Sequence, residues 1–303
     1  MCCLFGFHDY GHKLTRKQRS ILLSVLSVAS EDRGTDATGI AYNAGGRLQV
    51  YKRPLPAHLM WYRVPLDAAV VMGYTRMTTQ GAESRNYNNH PFPGHTDTTD
   101  FALAHNGVLH NDKRLRKQLD LPGTIVETDS YIAVQIIEAA RELSFSSLRY
   151  MAEKLEGSFT ITVLSEKDEL YFVKGDNPIC IYHYPEKGIY LYASTEDILK
   201  KALKKIPFRL GKSVRIDLYS GQLMCIDANG NISRSSFDDS KLYIFWGYPS
   251  RHLYTGTSVF GEDEYLDDLK SVAMYYGLYP EDIDKLLMDG YTLEDIEELL
   301  YCG

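Results

Sequence analysis

The sequence predicts a layered α+β domain, its sheets packed between helices, with a small helical appendage at the C-terminal end. Three observations lead there. Strand-like apolar runs give way to helical spacing, return as β-branched and aromatic runs, and end in one more helix. The 303 residues suffice for one large core plus an appendage. Residues 262–303 then change character, with 13 acids against only Lys270 and Lys285.

In order, Cys2–Phe7 is a short apolar run suited to a buried strand, and Lys13–Glu31 carries Ile21, Leu22, Val25, Leu26 and Val28 at helical spacing. Gly39–Asn43 and Arg47–Arg53 flank Gly45-Gly46 and read as a hairpin. Asp67–Thr75 and Phe101–His105 are further strands, and Leu109–Leu119, Thr128–Leu143 and Ser146–Leu155 are helices. Ser158–Leu164, Glu169–Lys174, Ile179–Tyr184 and Ile189–Ala193, punctuated by turn residues, read as a meander. Glu196–Lys205 is a helix closed by Pro207, and Val214–Leu218 with Gln222–Asp227 form a final hairpin around Ser220-Gly221.

This gives a main domain over residues 2–238 and a linker over 239–261. Residues 262–303 follow as an acidic module of three short helices, and similarity to small ubiquitin-associated-type modules is confined to "MDGYTLEDIEELL". Leu266, Leu269, Val272 and Ala273 face one way in the first helix. Pro280 opens the second and Thr292 caps the third.

Composition excludes several classes. At 44% hydrophobic and 24% charged residues the chain is neither disordered nor fibrous. No apolar run approaches the roughly 18 to 20 residues that cross a bilayer, and no secretory signal is visible, so a cytoplasmic location away from membranes is expected. Five scattered cysteines without metal-ligand spacing read as free thiols, with no metal. The net charge of −7 is concentrated in the acidic end. The remainder lacks a basic stripe interleaved with aromatics, which argues against nucleic acid. With neither a Walker loop nor a Rossmann fingerprint, no cofactor is expected.

Six blocks fall in a telling order: "MCCLFGF" at the start, "RGTDATGIAY" at 33–42, "GYTRMTTQG" at 73–81, "NNHPF" at 88–92, "AHNGVLHN" at 104–111 and "ETDSYI" at 127–132. Together they resemble the glutaminase domain of class II glutamine amidotransferases, the group that includes the domain of glucosamine-fructose-6-phosphate synthase. The resemblance covers residues 2–238 and implies the four-layer αββα sandwich of N-terminal-nucleophile hydrolases.

Cys2 matches the family's nucleophile, exposed as the first residue once Met1 is removed. Its free α-amine, with a reference pKa of about 7.7–8.0, can then serve as base for a thiol near 8.5. The rival reading is an inert cysteine in the first strand. Cys3 stands where the family usually has Gly and is expected to point into the core. Asn106 and Gly107 match the oxyanion hole, where the side-chain amide and a backbone N–H would stabilise the tetrahedral intermediate; alone, Asn-Gly is also a common turn.

Arg76 matches the residue that pairs with glutamine's α-carboxylate, Thr79 could add a hydroxyl, and Asp129 matches the one that holds the α-amine. For Asp129 a helix N-cap in Thr128-Asp129-Ser130 is the alternative. Met77 and Gln80 stand where the family commonly has Trp and His, inside the loop that closes over glutamine. Arg33, Asp36 and Gly39 resemble a segment that shapes the site without reacting, and His90 falls in the family's "HP" segment with a supporting role.

The reading that follows is a glutamine amidotransferase domain that hydrolyses the side-chain amide to glutamate and ammonia, without metal or cofactor. Ammonia would pass to an acceptor-bearing synthase partner in trans, because residues 239–303 are too few to supply an acceptor domain. The acidic module is the candidate for docking it. Two other readings are an N-terminal-nucleophile hydrolase of a different amide, motivated by Cys3, Met77 and Gln80, and a non-catalytic binding or regulatory protein.

Overall fold

The computed structural model describes residues 2–242, 266, 279–293 and 296. The chain divides into two compact units, residues 1–242 and 243–303.

The first unit contains two antiparallel sheets. One has seven strands in the order β11-β9-β10-β1-β4-β2-β3, the other six in the order β13-β12-β8-β7-β6-β5. The strands are β1 (Cys3–His8), β2 (Ala37–Ala44), β3 (Arg47–Arg53), β4 (Val70–Arg76), β5 (Phe92–His95), β6 (Asp100–Leu109), β7 (Gly157–Ser165), β8 (Leu170–Lys174), β9 (Cys180–Tyr184), β10 (Ile189–Ala193), β11 (Val214–Ile216), β12 (Gln222–Ile226) and β13 (Ile232–Ser236). Helices α1 (Arg16–Ala29) and α5 (Glu196–Leu203) cover the outer face of the seven-stranded sheet. Of α2 (Asp112–Gln118), α3 (Tyr131–Ala139) and α4 (Phe145–Lys154), α3 lies against β5 and α4, and α4 against β12 of the other sheet. The result is the four-layer αββα sandwich.

Alternation along the strands decides which side chains meet. On β1, Cys3, Phe5 and Phe7 face the helices with Leu22, Leu23, Leu26, Ile198 and Leu199. Cys2 and Leu4 face the opposite sheet, in a seam with Met72, Tyr74, Ala102, Ala104, Leu164, Phe172 and Met224. Both faces of the central strands are therefore dry, which explains continuous apolar runs where a half-exposed strand would alternate. Helix α1 starts at a capping box between Thr15 and Gln18 and turns its apolar stripe onto the sheet.

Several local expectations change. The four runs between Ser158 and Ala193 are not one meander: β7 and β8 pair in the six-stranded sheet, β9 and β10 in the seven-stranded one, and 175–178 carries the chain between them. The final hairpin is also divided, with β11 against β9 and β12 against β8 and β13. A turn signal marks a reversal without saying which sheet receives the next strand. Leu109 ends β6, and the helix expected from it begins only at Asp112. The helix expected over Thr128–Leu143 spans only Tyr131–Ala139, and Arg141 turns to φ +61° just beyond it. Strands β5 and β13 were not foreseen, β5 because Pro93 and Gly94 interrupt it and β13 because it is short and polar.

The first unit runs four residues past the predicted boundary, through a 3-10 turn at Ser240–Leu242. In the second unit, helix α6 (Pro280–Met288) starts with proline in its first turn, and Asp282 accepts the Tyr279 N–H at 3.0 Å. Ile283 and Ile296 are buried, with Leu266, Leu286, Leu287 and Leu293 packed against them. The expected linker beyond residue 242, most of the first helix and the end of the third lie outside the described residues.

Candidate active site

The site assembles at the end of the seam between the sheets where β1 begins. In strand register Cys3 lies opposite Thr75 and Arg76 opposite Ala37. Tyr74 and Arg76, two residues apart on β4, therefore share the inner face with Cys2. Cys2 is 9% exposed, and its Sγ lies 3.4 Å from the Met77 carbonyl oxygen and 3.5 Å from the Met77 nitrogen. The Arg33 Nε donates to the Cys2 carbonyl at 2.9 Å. Cys3, fully buried on the helix side, has its thiol pKa raised by burial. The neighbouring cysteines thus point in opposite directions, and only Cys2 faces the seam.

Asn106 reaches the seam from the opposite sheet, on the same face of β6 as Ala102 and Ala104. It is 1% exposed, and its Nδ2 has no acceptor among the described residues. An idle buried amide donor costs about 1 to 3 kcal/mol, so its presence calls for an explanation. Gly107 follows at φ +143°, where a Cβ would lie 1.9 Å from the Ser158 carbonyl oxygen, so only glycine fits.

Arg76 is buried without an ion pair among the described residues. Its Nη1 donates to Asn89 Oδ1 at 2.6 Å, and its Nη2 to the carbonyls of Gln80 at 2.5 Å and Gly81 at 2.7 Å. Asp36 fixes the start of this loop: its N–H donates to the Arg76 carbonyl at 3.0 Å, and its Oδ2 accepts the Thr78 N–H at 2.7 Å. Met77 and Thr79 are exposed on the loop.

Asp129 is buried, and its Oδ2 accepts the Leu109 N–H at 2.6 Å while Ser130 Oγ donates to Oδ1 at 3.2 Å. It does not cap the helix behind it. Ser130 occupies the N-cap of α3 and makes no side-chain cap bond, which removes the N-cap alternative. The Asp129 N–H donates to Gln80 Oε1 at 3.0 Å. Gln80 thus touches Arg76 through its backbone and Asp129 through its side chain. His105 bonds Ser130 Oγ at 2.8 Å on the helix side, and its pKa is lowered, burial outweighing the pull of Asp129.

His90 lies between the rings of Tyr74 and Phe92, at 4.2 and 4.3 Å between centroids, with both nitrogens unpartnered among the described residues. Burial, then His105, Arg76 and Lys52, hold its pKa well below the usual imidazole value, so it is neutral. Gly39 has a steric cause: a Cβ there would sit 2.1 Å from the His90 carbonyl oxygen and 2.9 Å from Pro91 Cδ. The His90-Pro91 backbone occupies the space that a side chain would fill.

The fold brings Cys2, Arg76, Gln80, Asn106, Gly107 and Asp129 to one end of the seam, with Arg33, Asp36, Gly39 and His90 around them. Five participants escaped the sequence reading. Burial, followed by the neighbouring Cys2 thiol, raises the pKa of the Tyr74 phenol. Asn89 holds Arg76, Lys52 holds Asn89, and Glu127 closes the loop through Asn88 Nδ2 at 2.8 Å. Tyr74, Asn88, Asn89 and Glu127 lie inside the six blocks, where buried polar residues beside a cation were the available signal. Lys52 lies outside them and carried none. Among the described residues no group of three His, Cys, Asp or Glu could hold a metal, and no helix is long and apolar enough to cross a membrane.

A family model described as a glutamine amidotransferase domain matches residues 78–201, a stretch containing Asn106, Gly107 and Asp129. The glutamine–fructose-6-phosphate aminotransferase of Chlamydia trachomatis is 32% identical over an alignment covering all of this chain and 50% of that protein. The enzyme of the same name from Symbiobacterium thermophilum is also 32% identical, over 50% of this chain and 26% of its own length. The chain thus spans between a quarter and a half of these relatives. Among solved structures, the glutamine phosphoribosylpyrophosphate amidotransferase of B. subtilis superposes with a TM-score of 0.61 at 18% identity, covering 78% of this chain and 49% of that one. An allosteric regulatory enzyme of purine biosynthesis gives the same score and identity over 90% and 58%. In sequence and in fold, the chain carries a class II glutamine amidotransferase domain of the N-terminal-nucleophile type.

Proposed function

We propose that this domain hydrolyses the side-chain amide of glutamine through Cys2 and delivers the ammonia to an acceptor site on a synthase partner. The α-amine of Cys2, freed by removal of Met1, takes the thiol proton, and Sγ attacks the amide carbon. The oxyanion that forms is met by the Asn106 side-chain amide and the Gly107 N–H. The amine passes its proton to the departing nitrogen, ammonia leaves, and water cleaves the γ-glutamyl thioester to glutamate.

The observation that carries this reading is the buried Nδ2 of Asn106, without an acceptor among the described residues and on the same seam as Cys2. A donor held idle in a dry site is what a transient oxyanion requires. Arg76 and Asp129 supply opposite charges for the substrate's carboxylate and ammonium, with Gln80 linking them and Thr79 available on the loop. Arg33 and Asp36 hold the surrounding backbone, Gly39 leaves room for the His90-Pro91 backbone, and the His90 ring packs against Tyr74.

Mass spectrometry tests the chemistry. The expected result is a chain beginning at Cys2 that takes up one equivalent of a diazo-ketone analogue of glutamine on that residue. A retained Met1, or labelling elsewhere, would sink the reading.

The curated relatives are named for transfer to fructose 6-phosphate, which makes a sugar phosphate the first acceptor to try. The partner is assigned in trans, with the acidic residues 262–303 as its docking module. Deleting them should abolish co-purification of the partner, and undiminished recovery would remove that role.

A further inference from the structure

Two cations, the buried Arg76 and the half-buried Lys52, sit side by side at this site with no carboxylate paired to either among the described residues. Lys52 on β3 lies opposite Gly39 on β2, and Gly39 lies opposite Tyr74 on β4, so Lys52 points into the seam two strands from Tyr74. Its Nζ donates to the carbonyls of Asn89 at 2.5 Å and Pro91 at 3.1 Å and lies 4.9 Å from the centre of the Phe92 ring. Its carbonyl accepts from Asn86 Nδ2 at 3.0 Å. Every acceptor that Lys52 and Arg76 use here is neutral, and neither forms an ion pair among the described residues.

We infer that Lys52 is a positioning residue for recognition of glutamine's α-carboxylate. It clamps the Asn89–Pro91 backbone across the gap left by Gly39, so that the Asn89 side chain fixes the Arg76 guanidinium, and its own charge adds to the field that draws an anion. The inference rests on the glutamine reading above. Packing alone does not account for Lys52, since an apolar side chain could lie against Phe92 without the desolvation cost of an ammonium. Burial, then repulsion from Arg76, lowers the Lys52 pKa to about 8. The titratable and charged groups that face it are Arg76 and His90, and His90 is neutral. An incoming carboxylate would restore the ammonium, so binding at pH 8 should draw a proton onto Lys52.

Calorimetric titration of glutamine into the full chain carrying Cys2→Ala separates the possibilities without turnover. At pH 7, adding Lys52→Met should weaken binding about tenfold, whereas Lys52→Arg should hold it within about threefold. In the Cys2-intact protein the Lys52→Met loss should appear in KM, with kcat nearly unchanged. At pH 8, titrations in buffers of different ionisation enthalpy should reveal proton uptake that disappears with Lys52→Arg, a change that a merely structural lysine would not produce. If Lys52→Met proves unstable, the proton count with Lys52→Arg decides alone. Unchanged affinity in Lys52→Met, or equal proton uptake with lysine and arginine, overturns the inference. A Cys2→Ala parent that fails to bind glutamine at all overturns the glutamine reading first, and this role with it.

Discussion

The two ends of strand β1 are equally dry, and only one is built as a site. At one end Cys2 shares the seam with the Asn106 amide, idle among the described residues, with two cations that form no ion pair among those residues, and with a gap left by Gly39. At the other, His8 is wholly buried with neither ring nitrogen in a well-aligned hydrogen bond among the described residues. Aromatic rings plug that end: His183 stacks on Tyr190 at 4.1 Å between centroids, and Tyr10 packs against both. The Tyr10 hydroxyl bonds His183 Nε2 at 2.7 Å and the Tyr190 hydroxyl donates to the Gly230 carbonyl at 2.9 Å. An unpartnered polar group is therefore not enough to mark a site. The difference lies in charge and in backbone that stands where side chains would otherwise fill the space.

The largest expected effect tests the working end. Asn106→Ala should reduce kcat for glutamine hydrolysis about 100- to 1,000-fold, as loss of one oxyanion donor does, with KM little changed. Urea unfolding should find the variant no less stable than its parent, since the lost donor has no acceptor. A loss of stability without a loss of rate would move Asn106 to the structural side of the comparison.

The contrast between the ends was half legible in the sequence. Cys2, Arg76, Asn106, Gly107 and Asp129 were readable because each stands in a short block whose chemistry is local to its residue type. Lys52 was not, because its role depends on β3 lying two strands from β4 and on Gly39 between them. The same limit explains the divided meander. Apolar runs identify β8 and β9 as strands, but only packing assigns them to different sheets. For Asp129 the local reading offered an N-cap, and the shorter of its carboxylate's two hydrogen bonds comes from the Leu109 N–H, 20 residues away.

The plugged end should respond to acid and be silent in catalysis. Burial outweighs the attraction of Asp227 and lowers the His8 pKa from 6.5 to about 4, so the fold favours the neutral ring. Because the folded value lies below the unfolded one, this contribution is fully present above pH 6.5 and is lost as pH falls toward 4. Linkage puts the loss at about 2 kcal/mol by pH 5. Urea unfolding at pH 7 and pH 5 should show it, and His8→Leu should remove that part of the acid sensitivity while glutamine hydrolysis at pH 7 stays at the parental rate. Equal acid sensitivity in the variant would mean that other groups carry the effect.

The smallest effect comes from making one substitution at both ends. Tyr10→Phe removes the hydroxyl bonded to His183 and should cost about 1 kcal/mol of stability, the ordinary net value of such a bond, with no change in the rate at which Cys2 is alkylated. Tyr74→Phe removes the hydroxyl beside the nucleophile. A phenol that keeps its proton can donate to the attacking sulfur, so its loss should slow alkylation of Cys2 at pH 7 several-fold. Tyr74 also packs against His90, and phenylalanine preserves that contact. A slowing confined to Tyr74→Phe would therefore assign the hydroxyl, and not the ring, to the nucleophile. An alkylation profile that is the same in both variants would leave Tyr74 as packing and make the two ends of β1 more alike than their charges suggest.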